Sequence, residues 1–153
     1  MADRSALIAQ YKQGRAVVAA ALDGLSDADL DRRPAPGEWT ARQVVHHLAD
    51  AEARSAVRLR QLLAEDDPVI QGYDEEQYAR ALHYDRPIET SLAVLSAVRA
   101  STGELLDRLT DDDFARTGTH TESGAYSVDT WLGLYAAHAH DHAAQLRAAA
   151  GRA

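Results

Sequence analysis

The stretch HAHDHAAQL, residues 138–146, sets His138, His140 and His142 at alternate positions. A neutral imidazole can ligate a divalent metal, take a proton as a base, or sit in a core with both nitrogens hydrogen-bonded. Which of these applies depends on which side chains share a face. Trp131, Tyr135, His138, His142 and the pair Gln145–Leu146 follow one another at helical steps. At about 100° per residue they form one stripe. His138 and His142 stack at i and i+4, whereas His140 turns about 200° away from His138 and is expected to be exposed. A strand would align all three, but the alanines and the helical stripe oppose that reading. Burying imidazoles without partners is costly. The pair therefore reads either as core histidines bonded to backbone or tyrosine, or as two ligands of one divalent ion.

A third ligand would separate these readings, and the segment QVVHHLADAE offers one. His47 lies between Val44 and Ala51 on the angular map, beside the buried stripe, while His46 lies about 100° further round, at its edge. Asp50 and Arg54 follow within two turns. Asp50 is placed to accept from the second nitrogen of His47 and orient it, or to pair with Arg54 on the surface. Three histidines from two helices leave coordination positions open, as at a catalytic metal rather than a closed structural one. Tyr135, one turn before His138, can donate a hydrogen bond or pack in the core. Arg54 can bind a carboxylate or lie solvated. His120 and Tyr73 fall in connections, where functional residues concentrate. Neither they nor His83 receive a role.

Four helices must position these residues. The first spans about 4–23, with Leu7, Tyr11, Gly14, Val18, Leu22 and Leu25 as its stripe. Gly14 on that stripe would allow a close helix approach. The second spans about 40–65 and opens on a Thr40/Gln43 capping box and a Trp39/Val44 staple. Val44, Leu48, Ser55, Leu59 and Leu62 continue its inward face. Residues 66–86 form a long connection with a short helix in YDEEQYARAL. The third helix is expected to begin at Pro87, with Ile88, Leu92, Leu95, Thr102, Leu105 and Leu109 inward. Residues 110–126 connect to a fourth helix capped by Ser127 and stapled by Tyr126 and Trp131. The expected architecture is an all-α four-helix bundle with essentially no sheet. The 66–86 crossover would allow the second and third helices to run parallel.

The whole chain narrows the chemistry. Its 153 residues suit one domain, 1–153. It has no cysteine, which excludes disulfides and thiolate zinc sites and fits a reducing cytoplasm. The net charge of −8, from 24 acids against 16 bases, argues against a nucleic-acid partner. MADRSALIAQYKQGR lacks the apolar run of a signal peptide. No apolar stretch is long enough to span a bilayer.

The segments GEWTARQVVHHLADAE and YSVDTWLGLYAAHAHDHAAQL resemble the DinB/YfiT-like family. YDEEQYARALHYDRPIETSLAVL and THTESGAYSVDTW between them resemble its YfiT branch. The resemblance extends from about Trp39 to Leu146. It implies a bundle of up-down-down-up topology, a homodimer, and a divalent metal on His47, His138 and His142, the three that helical phase brings together. It also implies metal-dependent hydrolases and transferases of low-molecular-weight thiols. The expected activity is thiol transfer to an electrophilic small molecule through a metal-bound thiolate. The alternatives are hydrolysis by metal-bound water and a non-catalytic metal-binding bundle of a stress response. Zinc and nickel lead the candidate metals; histidine ligands alone do not choose between them.

Overall fold

Four long helices frame the computed structural model, whose described residues are 3–152. The expected domain limits at residues 1 and 153 lie outside the described residues. The helices are α1 (Arg4–Leu22), α3 (Ala41–Ala64), α5 (Glu89–Leu106) and α7 (Val128–Ala149). Between them stand α2 (Asp27–Asp31), β1 (Val69–Ile70), α4 (Glu75–Ala81), α6 (Asp111–Phe114), β2 (Thr117–His120) and β3 (Gly124–Ser127).

Side-chain partners give the directions. Arg4 meets Asp129 and Gly14 meets Ala139, so α1 and α7 run parallel. His46 meets Ser91 and Arg60 meets Thr102, so α3 and α5 run parallel. His47 packs on His142 whereas Ser55 meets Trp131, so α3 and α7 run antiparallel. The bundle is up-down-down-up, and residues 65–88 carry the crossover that this order requires.

Local signals start the helices as expected. Thr40 accepts from the Gln43 amide at 3.2 Å while Gln43 returns a bond to the Thr40 amide, closing a reciprocal cap at α3. Ser127 caps α7. The α2 cap, Ser26 with Asp29, has the same form. Gly14 faces Ala139 so closely that an added Cβ would lie 2.7 Å from that side chain and 2.8 Å from Arg99 Nε.

Three expectations change. A three-stranded sheet is present, in the order β1-β2-β3, with β1 parallel to β2 and β2 antiparallel to β3. Its strands are two to four residues long, too short to show a period, and their pairing joins the two long connections. α5 begins at Glu89 with Ile88 as its cap, not at Pro87. Its buried face also includes Ser91, Arg99 and Gly103, while Leu92 and Leu105 are only half-buried. Arg99 holds the centre of the bundle. Its Nη1 donates to Glu52 Oε2 at 2.5 Å, Nε to the Tyr11 carbonyl at 2.7 Å and Nη2 to the Tyr135 carbonyl at 2.9 Å. Tyr11 donates its hydroxyl to the other oxygen of Glu52. This polar layer lies between two apolar clusters, one around Val44, Leu48 and Leu146 and one around Leu59, Leu62 and Trp131.

Candidate metal centre

α3 brings His47 inward from its first two turns, and α7 brings His138 and His142 from adjacent turns. Because the two helices run antiparallel, these positions meet. Ring centroids are 5.5 Å apart for His47 and His138, 4.6 Å for His47 and His142, and 4.5 Å for His138 and His142. One nitrogen from each ring lies within 4.8 Å of those of the other two. A single ion contacting all three would draw them closer, since zinc–nitrogen bonds are about 2.0–2.1 Å.

The donor set fits a cation. Nε2 of His47 and Nδ1 of His138 are buried without a hydrogen-bond partner, a costly state for a polar atom. Nδ1 of His142 donates to Oε1 of Gln145 at 2.7 Å, which leaves Nε2 with its lone pair. Burial, and after it the charge of a protonated His142, lower the His47 pKa from 6.5 to about 4. Burial, then His142 and His47, lower that of His138 to about 3. Both rings are therefore neutral at physiological pH, the form that ligates. Trp39 packs edge-on against His47 at 5.0 Å and Tyr135 against His138 at 5.6 Å, and both supply the apolar walls that cause the desolvation.

The other expected site residues resolve differently. Asp50 does not orient His47. Its Oδ2 accepts from the Tyr84 hydroxyl at 2.6 Å. Nor does it pair with Arg54, which donates to the Tyr78 hydroxyl at 2.8 Å and the Gln71 carbonyl at 3.2 Å. The Arg54 guanidinium also covers the Tyr73 ring at 4.4 Å. Both side chains thus fasten the crossover to α3. Tyr135 is buried, and its hydroxyl accepts from Arg58 Nη1 at 2.9 Å. His46 is fully buried, not at the edge. Its Nε2 donates to the Arg86 carbonyl (2.9 Å), so Nδ1 accepts from Ser91 Oγ (2.7 Å). The crossover covers this side of α3, which helical phase within α3 does not reveal. His140 is half-buried, donating Nε2 to the Gln10 carbonyl of the adjacent α1 at 2.9 Å. His120 accepts from the Glu122 and Ser123 amides and stiffens the β2–β3 turn. His83 is exposed.

A cavity of about 550 Å³ opens beside His142. Its lining includes Trp39, Glu38, Glu75, Glu76 and Gln145. Sequence reasoning missed the three glutamates; Glu75 and Glu76 come from the crossover and Glu38 from the loop before α3, so their proximity depends on tertiary packing. The Gln145 role carried a usable signal, its i+3 spacing from His142.

The chain belongs to the DinB superfamily, whose family model matches residues 10–146. The fold agrees with its YfiT branch. YfiT from Bacillus subtilis, described as "a probable metal-dependent hydrolase with an unusual four-helix bundle topology", superposes with a TM-score of 0.88 at 32% identity, over 98% of this chain and 89% of that one. TT2238, a four-helix bundle protein, superposes with a TM-score of 0.68 at 24% identity, over 95% of this chain and 99% of that one, a likeness of fold. A protein of Oceanobacillus iheyensis named as an inferred metal-dependent hydrolase is 39% identical over 122 residues, 80% of this chain and 71% of its own length. One of the same name from Bacillus mycoides is 34% identical over 129 residues, 84% of this chain and 75% of its own. No described helix is long and apolar enough to cross a membrane.

Proposed function

We propose that this protein is a metal-dependent hydrolase whose divalent cation, zinc or nickel, is held by His47, His138 and His142. The observation that carries the reading is the convergence of three ring nitrogens within 4.8 Å, two of the rings bearing buried nitrogens without a protein partner. The names of the relatives from Oceanobacillus iheyensis and Bacillus mycoides point the same way. When bound, such a cation supplies a Lewis acid that acidifies water and polarises a carbonyl or phosphoryl oxygen.

The chain's own residues prepare that chemistry. Gln145 fixes the tautomer and the plane of His142. Trp39 and Tyr135 keep water from His47 and His138 and hold both neutral. Arg58 anchors Tyr135 from α3 and ties to the Gln71 carbonyl at 2.5 Å, so the crossover and the His138 wall are braced together. The side at His142 remains open to the cavity, where a small-molecule substrate enters.

Thiol transfer is the second reading. It is favoured by the family resemblance and by the lack of cysteine, which requires any thiol nucleophile to come from outside. Metal analysis of the mildly purified protein tests the centre. His47→Ala, His138→Ala and His142→Ala are each expected to lose bound metal, and Gln145→Ala to weaken it by about tenfold. His140→Ala is expected to keep it. Wild-type protein that binds no divalent metal refutes the reading. A substrate panel run with and without small thiols then separates the reactions: thiol-independent turnover supports hydrolysis, and strictly thiol-dependent turnover replaces it with transfer. We also propose a homodimer, on the resemblance; sedimentation as a 16.6 kDa species would refute it.

A further inference from the structure

Three arginines are buried among the described residues, Arg42, Arg58 and Arg99. Arg42 pairs with Asp27 and Asp31, and Arg99 with Glu52. Arg58, 8% exposed, makes no ion pair among the described residues. It spends Nη1 on the Tyr135 hydroxyl at 2.9 Å and Nη2 on the Gln71 carbonyl at 2.5 Å, both neutral acceptors. A buried cation without a counter-ion is costly. One turn earlier on α3, Arg54 donates to the same Gln71 carbonyl at 3.2 Å. Its other bond goes to the Tyr78 hydroxyl, also neutral, and its Nε is buried without a partner. Two guanidinium groups therefore stand side by side on one carbonyl, and like charges at this helical spacing repel. Tyr73 holds them in place, its ring centre 4.4 Å from the guanidinium carbon of Arg54 and 5.9 Å from that of Arg58. A groove of about 320 Å³ opens at this pair. Ala53, Val57 and Val69 form its apolar part, Arg54, Arg58 and Gln71 its polar part, and no described acid lines it. Val57 and Val69 are 57% and 56% exposed, so the groove leaves apolar surface as well as charge unmatched.

We propose that this groove is a binding site for a short-chain aliphatic carboxylate. The carboxylate lies across Arg54 and Arg58, accepts from N–H groups that Tyr78, Tyr135 and Gln71 leave free, and neutralises the paired charges. The aliphatic chain covers Val57 and Val69. The volume lies at the lower end of the small-molecule range, which suits a chain of a few carbons. A bare inorganic anion meets the charge but leaves the valines uncovered. An alkylammonium ion of the same length meets the valines and is repelled by the arginines. None of the groove residues is a ligand of the candidate metal centre or lines the cavity at His142, so the inference does not depend on the metal reading. The two sites border each other through one side chain, since Arg58 bonds the Tyr135 hydroxyl and the Tyr135 ring packs on His138 at 5.6 Å.

The test titrates hexanoate, acetate and hexylammonium into the protein as purified and after chelator treatment, followed by heteronuclear NMR. The Nε–H resonances of Arg54 and Arg58 report on the groove, and the Trp39 indole reports on the cavity at His142. Hexanoate is expected to shift the arginine resonances and not that of Trp39, with and without chelator. It is expected to bind at least about tenfold more tightly than acetate, through burial of its additional methylenes. Hexylammonium is expected to leave the arginine resonances unmoved. Val57→Glu sets an acid in the groove at an exposed position whose side chain makes no hydrogen bond. It is expected to abolish hexanoate binding while the circular dichroism stays that of wild type. Arg54→Gln is expected to weaken hexanoate by about fivefold or more. Hexanoate that leaves the arginine resonances in place overturns the proposal, as does equal binding of acetate or hexylammonium, or an undiminished affinity in either variant. Binding that disappears on chelation also overturns it, because the carboxylate would then sit on the metal. Groove binding in a protein found to hold no metal supports the proposal and refutes the metal reading alone.

Discussion

Replacing Arg99 by methionine tests the polar layer that joins all four long helices. The substitution conserves much of the apolar stem and removes three donors, those to Glu52, to the Tyr11 carbonyl and to the Tyr135 carbonyl. The Arg99 side chain is 1% exposed and that of Glu52 0%. Glu52 would be left with the Tyr11 hydroxyl alone. Breaking a buried pair from one side costs about 3–5 kcal/mol, because the remaining charge is uncompensated. A domain of this size has about 5–15 kcal/mol in all. Arg99→Met should therefore lower the urea midpoint, read by circular dichroism, by about a fifth or more. The double variant Arg99→Met, Glu52→Gln should recover at least about 2 kcal/mol of that loss, since it buries no unpaired charge. The pH dependence supplies the sign. Burial already pushes the Glu52 carboxyl up, and removing Arg99 removes the charge that opposes the rise. A group whose folded pKa lies above its unfolded value stabilises at low pH and loses that contribution as pH rises. The defect of Arg99→Met should thus shrink as pH falls from neutral towards the carboxylate range. A variant within about 1 kcal/mol of wild type, or a double variant that costs the sum of the two singles, would refute the assignment of this layer.

Acid should weaken the metal-free protein through its centre. His47 and His138 fall from 6.5 to about 4 and about 3 on folding, so the unfolded state binds more protons below 6.5 and stability declines as pH falls. Linkage gives about 2 kcal/mol for each ring between about pH 7 and about pH 5; chelator-treated protein with equal urea midpoints at the two values would contradict it. Gly14→Leu should destabilise by about 1–3 kcal/mol through overpacking against Ala139 and Arg99, and an unchanged thermal midpoint would show that the helices have room to separate. Tyr126→Phe removes a buried hydroxyl that has no partner and should be neutral or stabilising, by up to about 1 kcal/mol; a clear loss of stability would mean that this hydroxyl is bonded.

Local rules settled a large part of this molecule in advance. The Thr40/Gln43 and Ser127 caps are sequence-adjacent, so they set the starts of α3 and α7 without help from the rest of the chain. Helical phase alone put His138 and His142 on one face and His47 on another inward face, because that angle depends on residue spacing and nothing else. Family resemblance then supplied the topology that makes the two faces meet. What phase cannot report is the neighbour across the gap. His46 and His140 both lie off the main stripes, yet one is sealed by the crossover and the other donates to α1. Asp50 and Arg54 sit near His47 along α3, but Tyr84 and Tyr78 compete for them from a segment many residues away. Arg99 has no partner of its own on α5; three other helices offer it a carboxylate and two carbonyls. The sheet has no period to detect, since the β2–β3 hairpin has only four residues a side and β1 exists only through pairing with a distant connection. The three glutamates of the cavity are acidic in any conformation. Only the packing of α4 and the 34–39 loop beside α7 sets them around one space with His142, because like charges converge there through the burial of other residues and not through any attraction of their own.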